Sequence, residues 1–233
     1  MRLSIIIPAY NEKDTMKRVV QKVMGVQIDL PENVEKEIII VDDCSSDGTR
    51  QIVQELKNKY ADLITIFHDR NEGKGASIRD ALQIAKGDYV IIQDADLEYD
   101  PNEYAKLLAP VLDGKAIVVY GSRFTGEHRN MFFWHYLGNK FLTLTTGVLY
   151  NTTLTDMETC YKLIKKDILD GFVIKSNRFE FEPEITAKIL KRGIRIYEVP
   201  ISYVGREYNE GKKITWRDGI GAVWTLVKYR FVG

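Results

Sequence analysis

Short apolar runs and longer amphipathic segments alternate along the first 120 residues of the chain. The apolar runs are rich in Ile and Val and lack polar alternation, which is typical of strands buried on both faces of a parallel sheet. The segments between them carry apolar residues at helical spacing. This order predicts a βαβ series and an α/β fold. The predicted strands are RLSIIIP, EKEIIIVDD, LITIFHD, DYVIIQD and AIVVYGSR.

The second half of the chain is less regular. We expect strands at ETCYKLIKK and IRIYEVPIS, and helices at HYLGNKFLTLTTGVLY, FEPEITAKILKRG and TWRDGIGAVWTLVKYRFV. No linker rich in Pro, Gly or Ser separates the two halves, so we predict one domain over residues 1–233. A chain of this length can bury a sizeable core.

Charge and cysteine usage argue against several classes of protein. The 33 basic and 33 acidic residues balance, so no nucleic acid is expected as a partner. Cys44 and Cys160 lack CxxC spacing, which disfavours a disulfide framework or a zinc site and fits a reducing compartment. The first apolar run is too short for a signal peptide, and no window of ~18 uncharged apolar residues predicts a membrane-spanning helix.

Four acidic residues lie within a short stretch at the end of the predicted strand DYVIIQD: Asp94, Asp96, Glu98 and Asp100. In an extended chain, side chains at alternate positions share a face, so the first three would lie together. Close carboxylates raise each other's pKa unless a cation lies between them. Mg²⁺ or Mn²⁺ is one solution, and a solvated acidic loop that caps the next helix is the other. Asp100 is expected to cap that helix.

Two other strand ends are also polar. PAYNE spans residues 8–12, and VDDCSSDGT spans residues 41–49. In an open parallel sheet, ligands bind outside the carboxyl ends of the strands. We therefore expect these loops and the acidic loop to meet at one rim.

Four segments in order, SIIIPAYNE, IIIVDDCSSDGT, NEGKGAS and GDYVIIQDAD, resemble the family 2 glycosyltransferases. The resemblance covers the chain from Met1 to about Arg123. It implies the GT-A fold, a Rossmann-like three-layer sandwich around a mostly parallel central sheet. NEGKGAS is neither a Walker A nor a GxGxxG sequence. Its Lys74 matches the family's N-x-G-K segment, although a simple turn and helix cap would explain it nearly as well.

The resemblance also implies residue roles. Asp43 would accept from a base N–H, and Asp96 and Glu98 would bind Mg²⁺ or Mn²⁺. Asp42 and Asp43 could instead cap a helix, and Tyr10 could be a core aromatic. The residues that would contact the nucleotide of a sugar nucleotide are Pro8, Ala9, Tyr10, Glu12, Val41, Asp43, Asp94, Ala95 and Asp96.

The later motifs YGSRF and EVPISYVGREYNEGKKITWRDG resemble the polyprenyl- and dolichyl-phosphate hexosyltransferase branch, which includes dolichyl-phosphate mannose synthase. By that resemblance, Arg123, Arg206 and Lys212 would surround the phosphates and act in catalysis with Asp96. A solvated basic loop is the alternative for the last two cations. The segment LTDMETCYK has Cys160 where the branch carries a glycine, and its Asp156 and Thr159 are further candidates near the sugar or acceptor.

The resemblance thus implies an inverting, metal-dependent glycosyltransferase. It would move mannose or glucose from GDP-mannose or UDP-glucose to a polyprenyl phosphate, at the cytoplasmic face of the membrane. Residues 1–123 would bind the nucleotide sugar, and residues 124–233, with a C-terminal amphipathic helix, would bind the acceptor. A lipid phosphate is already anionic and needs no general base. It does need nearby cations, because the acceptor phosphate and the donor pyrophosphate repel each other.

Three questions stay open from the sequence. The aromatic run Phe132–Trp134 could insert into a membrane interface or pack on the core, and the last helix could pack on the core or contact a membrane or a membrane partner. A glycan or protein hydroxyl could be the acceptor, in which case a carboxylate such as Glu182 would be essential. The chain could also be a non-catalytic subunit that binds nucleotide sugars.

Overall fold

The computed structural model describes residues 1–206 and 216–232. Its centre is a seven-stranded sheet with strand order β3-β2-β1-β4-β6-β5-β7. All neighbouring strands pair in parallel except at β6, which runs antiparallel to both β4 and β5. The strands are β1 (Arg2–Ala9), β2 (Glu35–Asp42), β3 (Ile64–Phe67), β4 (Tyr89–Ile92), β5 (Val118–Ser122), β6 (Lys162–Lys165) and β7 (Tyr197–Pro200).

Helices connect most of these strands. Asp100 caps the turn that leads into the fourth helix, because its Oδ1 accepts from the backbone N–H of Asn102 at 3.2 Å, as the sequence predicts. The helices are α1 (Lys13–Gly25), α2 (Thr49–Lys59), α3 (Lys74–Ile84), α4 (Tyr104–Leu112), α5 (Phe133–Tyr150), α6 (Lys166–Asp170), α7 (Phe181–Lys191) and α8 (Trp216–Phe231).

The predicted α/β fold with a mostly parallel sheet is confirmed. β1 lies between β2 and β4, and its Ile6 pairs with Ile39 on one side and Ile92 on the other. All three side chains are buried, as expected for strands without polar alternation. The parallel series does not extend through β6, because Leu163 pairs antiparallel with both Ile91 and Val119.

The register of the central strands brings their following loops together. The backbone N–H of Asp43, after β2, donates to the carbonyl of Ala9 at the end of β1 at 2.9 Å. The N–H of Gln93, after β4, donates to the carbonyl of Ile6 at 2.8 Å. The three polar strand ends therefore share one rim, as predicted.

A second, smaller core fixes the last helix. It packs α8 against α5 and α7 through six buried side chains: Leu142, Met157, Ala187, Ala222, Leu226 and Tyr229. This packing places α5 and α8 beside the rim of the main sheet. In the part of the chain that the structure describes, no helix is long and apolar enough to cross a membrane.

The central strand is expected to dominate stability. Truncating Ile6 to Ala removes a fully buried side chain from between two strands, which typically lowers the free energy of unfolding by about 2–5 kcal/mol. Urea unfolding followed by circular dichroism measures the change. Ile117→Ala, at a position that is 43% exposed, is the matched control and is expected to change stability by less than about 1 kcal/mol. Equal losses in the two variants would contradict the assigned burial of Ile6.

Candidate active site

A large cavity of about 1700 Å³ lies at the carboxyl end of the sheet. The loops after β1, β2 and β4 form one end of it, and α5 and α8 form the other. Polar and charged side chains line the first end, whereas Phe132, Trp134, Phe141, Val223 and Trp224 line the second. The cavity therefore joins a polar pole to an apolar trough between two helices.

Most of the predicted nucleotide-binding residues line the polar pole. The exception is Val41, whose side chain is fully buried within β2, paired with Pro8 and Ile66. It belongs to the core of the sheet and does not line the cavity among the described residues. The predicted residues that do line it are Pro8, Ala9, Tyr10, Glu12, Asp43, Asp94, Ala95 and Asp96.

Asp43 organises the loop that faces it. Its carboxylate accepts from the backbone N–H groups of Glu72 at 2.7 Å and Gly73 at 2.8 Å, and Nδ1 of His68 lies 2.8 Å away. The carboxylate is nearly buried, and these partners compensate for its burial. The Asp43 carboxylate thus already accepts hydrogen bonds within the protein, and its recognition of a base N–H stays a prediction.

The glycines of NEGKGAS have a steric reason. A Cβ on Gly73 would lie 2.3 Å from the carbonyl oxygen of Asn177, and Gly73 has a φ of +98°. A Cβ on Gly75 would lie 2.4 Å from the carbonyl oxygen of Ser176. The segment before α7 thus lies so close to the start of α3 that only glycine fits at positions 73 and 75. Lys74, between them, lines the cavity.

Three left-handed residues that are not glycine lie at the rim, one after each central strand. Asn11 follows β1 with φ +52°, Cys44 follows β2 with φ +59°, and Leu97 follows β4 with φ +65°. Such backbone conformations are unfavourable for residues with a Cβ, above all for Leu, and they cluster at functional sites. All three polar loops at the rim are therefore held in sharply turned conformations.

Asp96 and Glu98 lie beside Arg206. Oε1 of Glu98 accepts from the backbone N–H of Arg206 at 2.7 Å, and its Oε2 accepts from the hydroxyl of Tyr203 at 2.7 Å. The Arg206 guanidinium donates to Glu12 at 2.7 Å and to the Asp96 carbonyl at 3.2 Å. Burial, followed by the nearby charges of Asp94 and Glu98, raises the pKa of Asp96 to about 8.

The donor set fits a divalent cation only in part. Asp96 is a buried carboxyl crowded by two others, and a cation would relieve that repulsion. Glu98 already uses both oxygens, and no group of three His, Cys, Asp or Glu among the described residues could hold an ion. Mg²⁺ commonly takes one or two carboxylates and completes its shell with water and phosphate oxygens. Asp96 fits that pattern, whereas metal binding by Glu98 stays a prediction.

Lys74, which lines the cavity, and the buried Lys162 behind it pair with two carboxylates, Asp94 and Glu182. Lys74 Nζ lies 2.7 Å from Asp94 Oδ1 and 3.3 Å from Glu182 Oε1. Lys162 is fully buried and binds the other oxygen of Glu182 at 2.5 Å. The neighbouring carboxylates outweigh the burial of Lys74 and raise its pKa, so the ammonium form persists.

Arg123 is locked onto Asp156. Its Nε and Nη2 donate to the two carboxylate oxygens at 2.7 Å each, and its backbone N–H donates to one of them at 3.0 Å. Both side chains are buried, and Nη2 also donates to Asn139 in α5 at 3.1 Å. Arg123 lines the cavity, but a direct contact with phosphate stays a prediction. Lys212 lies outside the described residues.

The comparisons agree with this geometry. Residues 4–172 match the family model described as glycosyl transferase family 2. The chain belongs to glycosyl transferase family 2. The predicted GT-A fold is also confirmed, since glucosyl-3-phosphoglycerate synthase from Mycobacterium tuberculosis, solved with Mn²⁺ and UDP, superposes with a TM-score of 0.73. That structure is 17% identical, and the match covers 99% of this chain and 80% of the other.

Three curated relatives are similar over most of this chain. A UDP-N-acetylglucosamine–dolichyl-phosphate N-acetylglucosaminyltransferase from Methanococcus voltae is 30% identical, over 88% of this chain and 86% of its own length. An undecaprenyl-phosphate 4-deoxy-4-formamido-L-arabinose transferase from Proteus mirabilis is 28% identical, over 91% and 62%. A dolichol-phosphate mannosyltransferase from Pyrococcus furiosus is 26% identical, over 91% and 59%. The chain thus spans about three fifths of the latter two.

Two cavity residues were not predicted as site residues from the sequence: Lys74, for which a helix cap was a nearly equal explanation, and Glu158. Lys74 was visible in the N-x-G-K segment, but its place against Asp94 and Glu182 depends on contacts distant in sequence. Glu158 carries no local signal. It lines the cavity, and its buried Oε1 has no hydrogen-bond partner among the described residues.

Burial raises the pKa of Glu158 from 4.5 to about 7, and the nearby carboxylates of Glu182 and Asp156 add to the rise while Lys162 and Arg123 oppose it. The folded chain therefore binds more protons than the unfolded chain between these pH values, and stability falls as pH rises through this window. Gln cannot ionise. We expect the free energy of unfolding of Glu158→Gln to exceed that of the wild type by up to about 3 kcal/mol at about pH 8. At about pH 4.5 we expect no such gain.

Urea unfolding at both pH values tests this expectation. Glu55→Gln, at an exposed position of α2, is the matched control and should leave stability unchanged at both. A gain for Glu158→Gln that is the same at both pH values would contradict the assigned burial.

Proposed function

We propose that this family 2 chain transfers a hexose-type sugar from a nucleotide-sugar donor to a polyprenyl phosphate, with Mg²⁺ or Mn²⁺, at the cytoplasmic face of a membrane. The observation that carries the proposal is the two-ended cavity. Its polar pole, at the strand ends, suits a nucleotide diphosphate, and its apolar trough suits a lipid chain. The names of the three curated relatives, each of which acts on a dolichyl, dolichol or undecaprenyl phosphate, support the same acceptor class.

In the proposed reaction, an oxygen of the lipid phosphate attacks the anomeric carbon of the donor sugar. The bond between that carbon and the nucleotide's terminal phosphate oxygen breaks, and the nucleoside diphosphate leaves with the electron pair. A single displacement inverts the anomeric configuration. The acceptor phosphate is anionic at neutral pH, so no side chain needs to remove a proton.

The chain's own residues would position the two anionic substrates. Arg206 reaches the polar pole from the loop after β7 and offers a guanidinium that suits phosphate oxygens. Arg123 holds the end of β5 through Asp156 and faces the junction with the trough. Asp96 would hold the divalent ion. When bound, that ion supplies charge stabilisation for the departing diphosphate.

The two predicted halves of the chain would divide the substrates. Residues 1–123 would contribute the nucleotide pole, and residues 124–233 the helices of the trough.

The acceptor side also offers a surface that could contact a membrane. α5 carries an exposed apolar stripe at positions three and four apart, formed by Trp134, Leu137, Phe141, Leu144 and Val148. Such a stripe suits insertion into the interface of a bilayer.

A hydroxyl acceptor would need a general base, and Glu182 is the carboxylate that the sequence offers for it. Glu182 lies between Lys162 at 2.5 Å and Lys74 at 3.3 Å. Each oxygen of Glu182 thus faces an ammonium group, so neither is presented to the hydroxyl of an acceptor. This pairing favours the phosphate acceptor over the hydroxyl.

The acceptor class is tested with GDP-mannose, UDP-glucose and UDP-N-acetylglucosamine as donors, Mn²⁺, and a short polyprenyl phosphate. We expect a lipid-linked sugar from at least one donor. Asp96→Asn should lower turnover by more than the roughly 10- to 100-fold typical of residues around a metal site, and a chelator should abolish it. Asp100→Asn, in the neighbouring helix cap, is the control.

Glu182→Gln separates the two acceptor classes in the same assay. With a phosphate acceptor, the variant should keep turnover within about tenfold of the wild type, whereas removing a general base costs about 100- to 10,000-fold. Sugar transfer to a soluble hydroxyl acceptor, with none to the lipid phosphate, would contradict the proposal.

The membrane contact is tested by flotation with vesicles of phosphatidylcholine and phosphatidylglycerol. Trp134 is 77% exposed at the start of the stripe, and its replacement by Ser should weaken vesicle binding several-fold because an aromatic interface anchor is lost. Val173→Ser, equally exposed but outside α5 and α8, is the control. Equal vesicle binding by both variants and the wild type would contradict the assigned surface.

A further inference from the structure

Glu158 occupies a rigid position inside the cavity. Two residues before it, Asp156 is bound to Arg123, and the backbone N–H groups of Thr155 and Asp156 donate to Glu198. Two residues after it, the N–H of Cys160 donates to the Tyr99 hydroxyl at 3.0 Å. The backbone is fixed on both sides, so the side chain is presented at a defined place.

One oxygen of the half-buried Glu158 side chain lacks the hydrogen bond that its burial demands. Its Oε1 is out of contact with water and has no partner among the described residues. A buried, unsatisfied oxygen of this kind is costly and calls for an explanation, such as a ligand group that completes it. Because Glu158 lines the cavity, a bound molecule can supply that group.

The charged groups around Glu158 indicate which kind of chemical group could bind beside it. The charged groups around it are Lys162, Glu182, Arg123 and Asp156, and the last three line or adjoin the cavity. Lys162 and Arg123 are already bound to Glu182 and Asp156. A phosphate would meet an additional carboxylate here, whereas a neutral group with an O–H or N–H would donate to it.

From this placement we propose that Glu158 determines donor specificity, by accepting a hydrogen bond from a hydroxyl or N–H substituent of the donor sugar. The inference rests on the proposed function, since it needs a nucleotide sugar in the cavity. Of the charged neighbours of Glu158, Glu182 shares Lys74 with Asp94 at the nucleotide pole, and Arg123 donates to Asn139 in α5, which forms the trough. A sugar attached to the diphosphate would be held between the pole and the trough while the acceptor approaches from the trough.

The experiment compares binding of the nucleotide with binding of the nucleotide sugar, by titration calorimetry with Mn²⁺ and without acceptor. UDP, UDP-glucose, UDP-N-acetylglucosamine, GDP and GDP-mannose are the probes. Glu158→Ala should weaken the nucleotide sugar about 10- to 100-fold, as for a lost hydrogen bond to a charged group, and leave the nucleoside diphosphate within about twofold. Glu158→Gln keeps an acceptor oxygen and should lose less.

Monodeoxy analogues of the donor that binds locate the contact. The wild type should bind one of them more weakly than the parent sugar, and Glu158→Ala should bind that analogue and the parent equally, because the same hydrogen bond is missing in both. Glu55→Gln is the control and should match the wild type for every probe. Because Glu158→Gln is expected to be at least as stable as the wild type, weaker donor binding by this variant would be a binding defect and not a folding defect.

The outcomes are distinct. If the wild type binds none of the three donors, the proposed function fails and this inference fails with it. If the wild type binds a donor and Glu158→Ala binds it equally well, only this inference is overturned. Unchanged donor binding with turnover reduced for every donor also overturns it, since Glu158 would then act in catalysis rather than in recognition of the sugar.

Discussion

The buried pair of Arg123 and Asp156 holds the second half of the site in place. Two parallel hydrogen bonds of 2.7 Å join the end of β5 to the segment before β6, and Asn139 ties the same guanidinium to α5. A buried ion pair is stable only when its remaining hydrogen-bonding capacity is used, and removing one partner leaves an unpaired charge. Glu158, Cys160 and the trough all take their positions from this junction.

The first half depends on a different constraint, which the sequence reveals more directly. Each central strand ends in a polar loop that turns at a left-handed residue, and the register of β1 between β2 and β4 brings the loops together. Apolar runs predict the strands, and the position of polar residues at their ends predicts the rim. The α/β fold, the rim and most nucleotide-pole residues could therefore be predicted. Val41 differs from the other predicted residues because its side chain is buried in the sheet, and a pattern of neighbours does not reveal which way a strand residue faces.

The rest of the site could not be predicted because it depends on pairs far apart in sequence. Arg123 was expected beside phosphate, and only the folded chain reveals that two of its three guanidinium nitrogens donate to Asp156. The antiparallel insertion of β6 places the segment around Glu158 beside β4 and β5, and nothing in LTDMETCYK marks that outcome. The glycines near Lys74 resemble a phosphate loop, yet the close approach of Ser176 and Asn177 explains them.

Charge pairing in the cavity bears on how it could hold two anionic substrates. Four cations in the cavity or directly behind its wall each have a carboxylate partner: Lys74 with Asp94, Lys162 with Glu182, Arg123 with Asp156, and Arg206 with Glu12. Asp96 and Glu158 add further acidic groups, so these residues provide no surplus of positive charge. A diphosphate and a phosphate monoester would be repelled unless a cation enters with them or a carboxylate gives up its partner. This balance favours a divalent ion that arrives with the donor over one held by the protein alone.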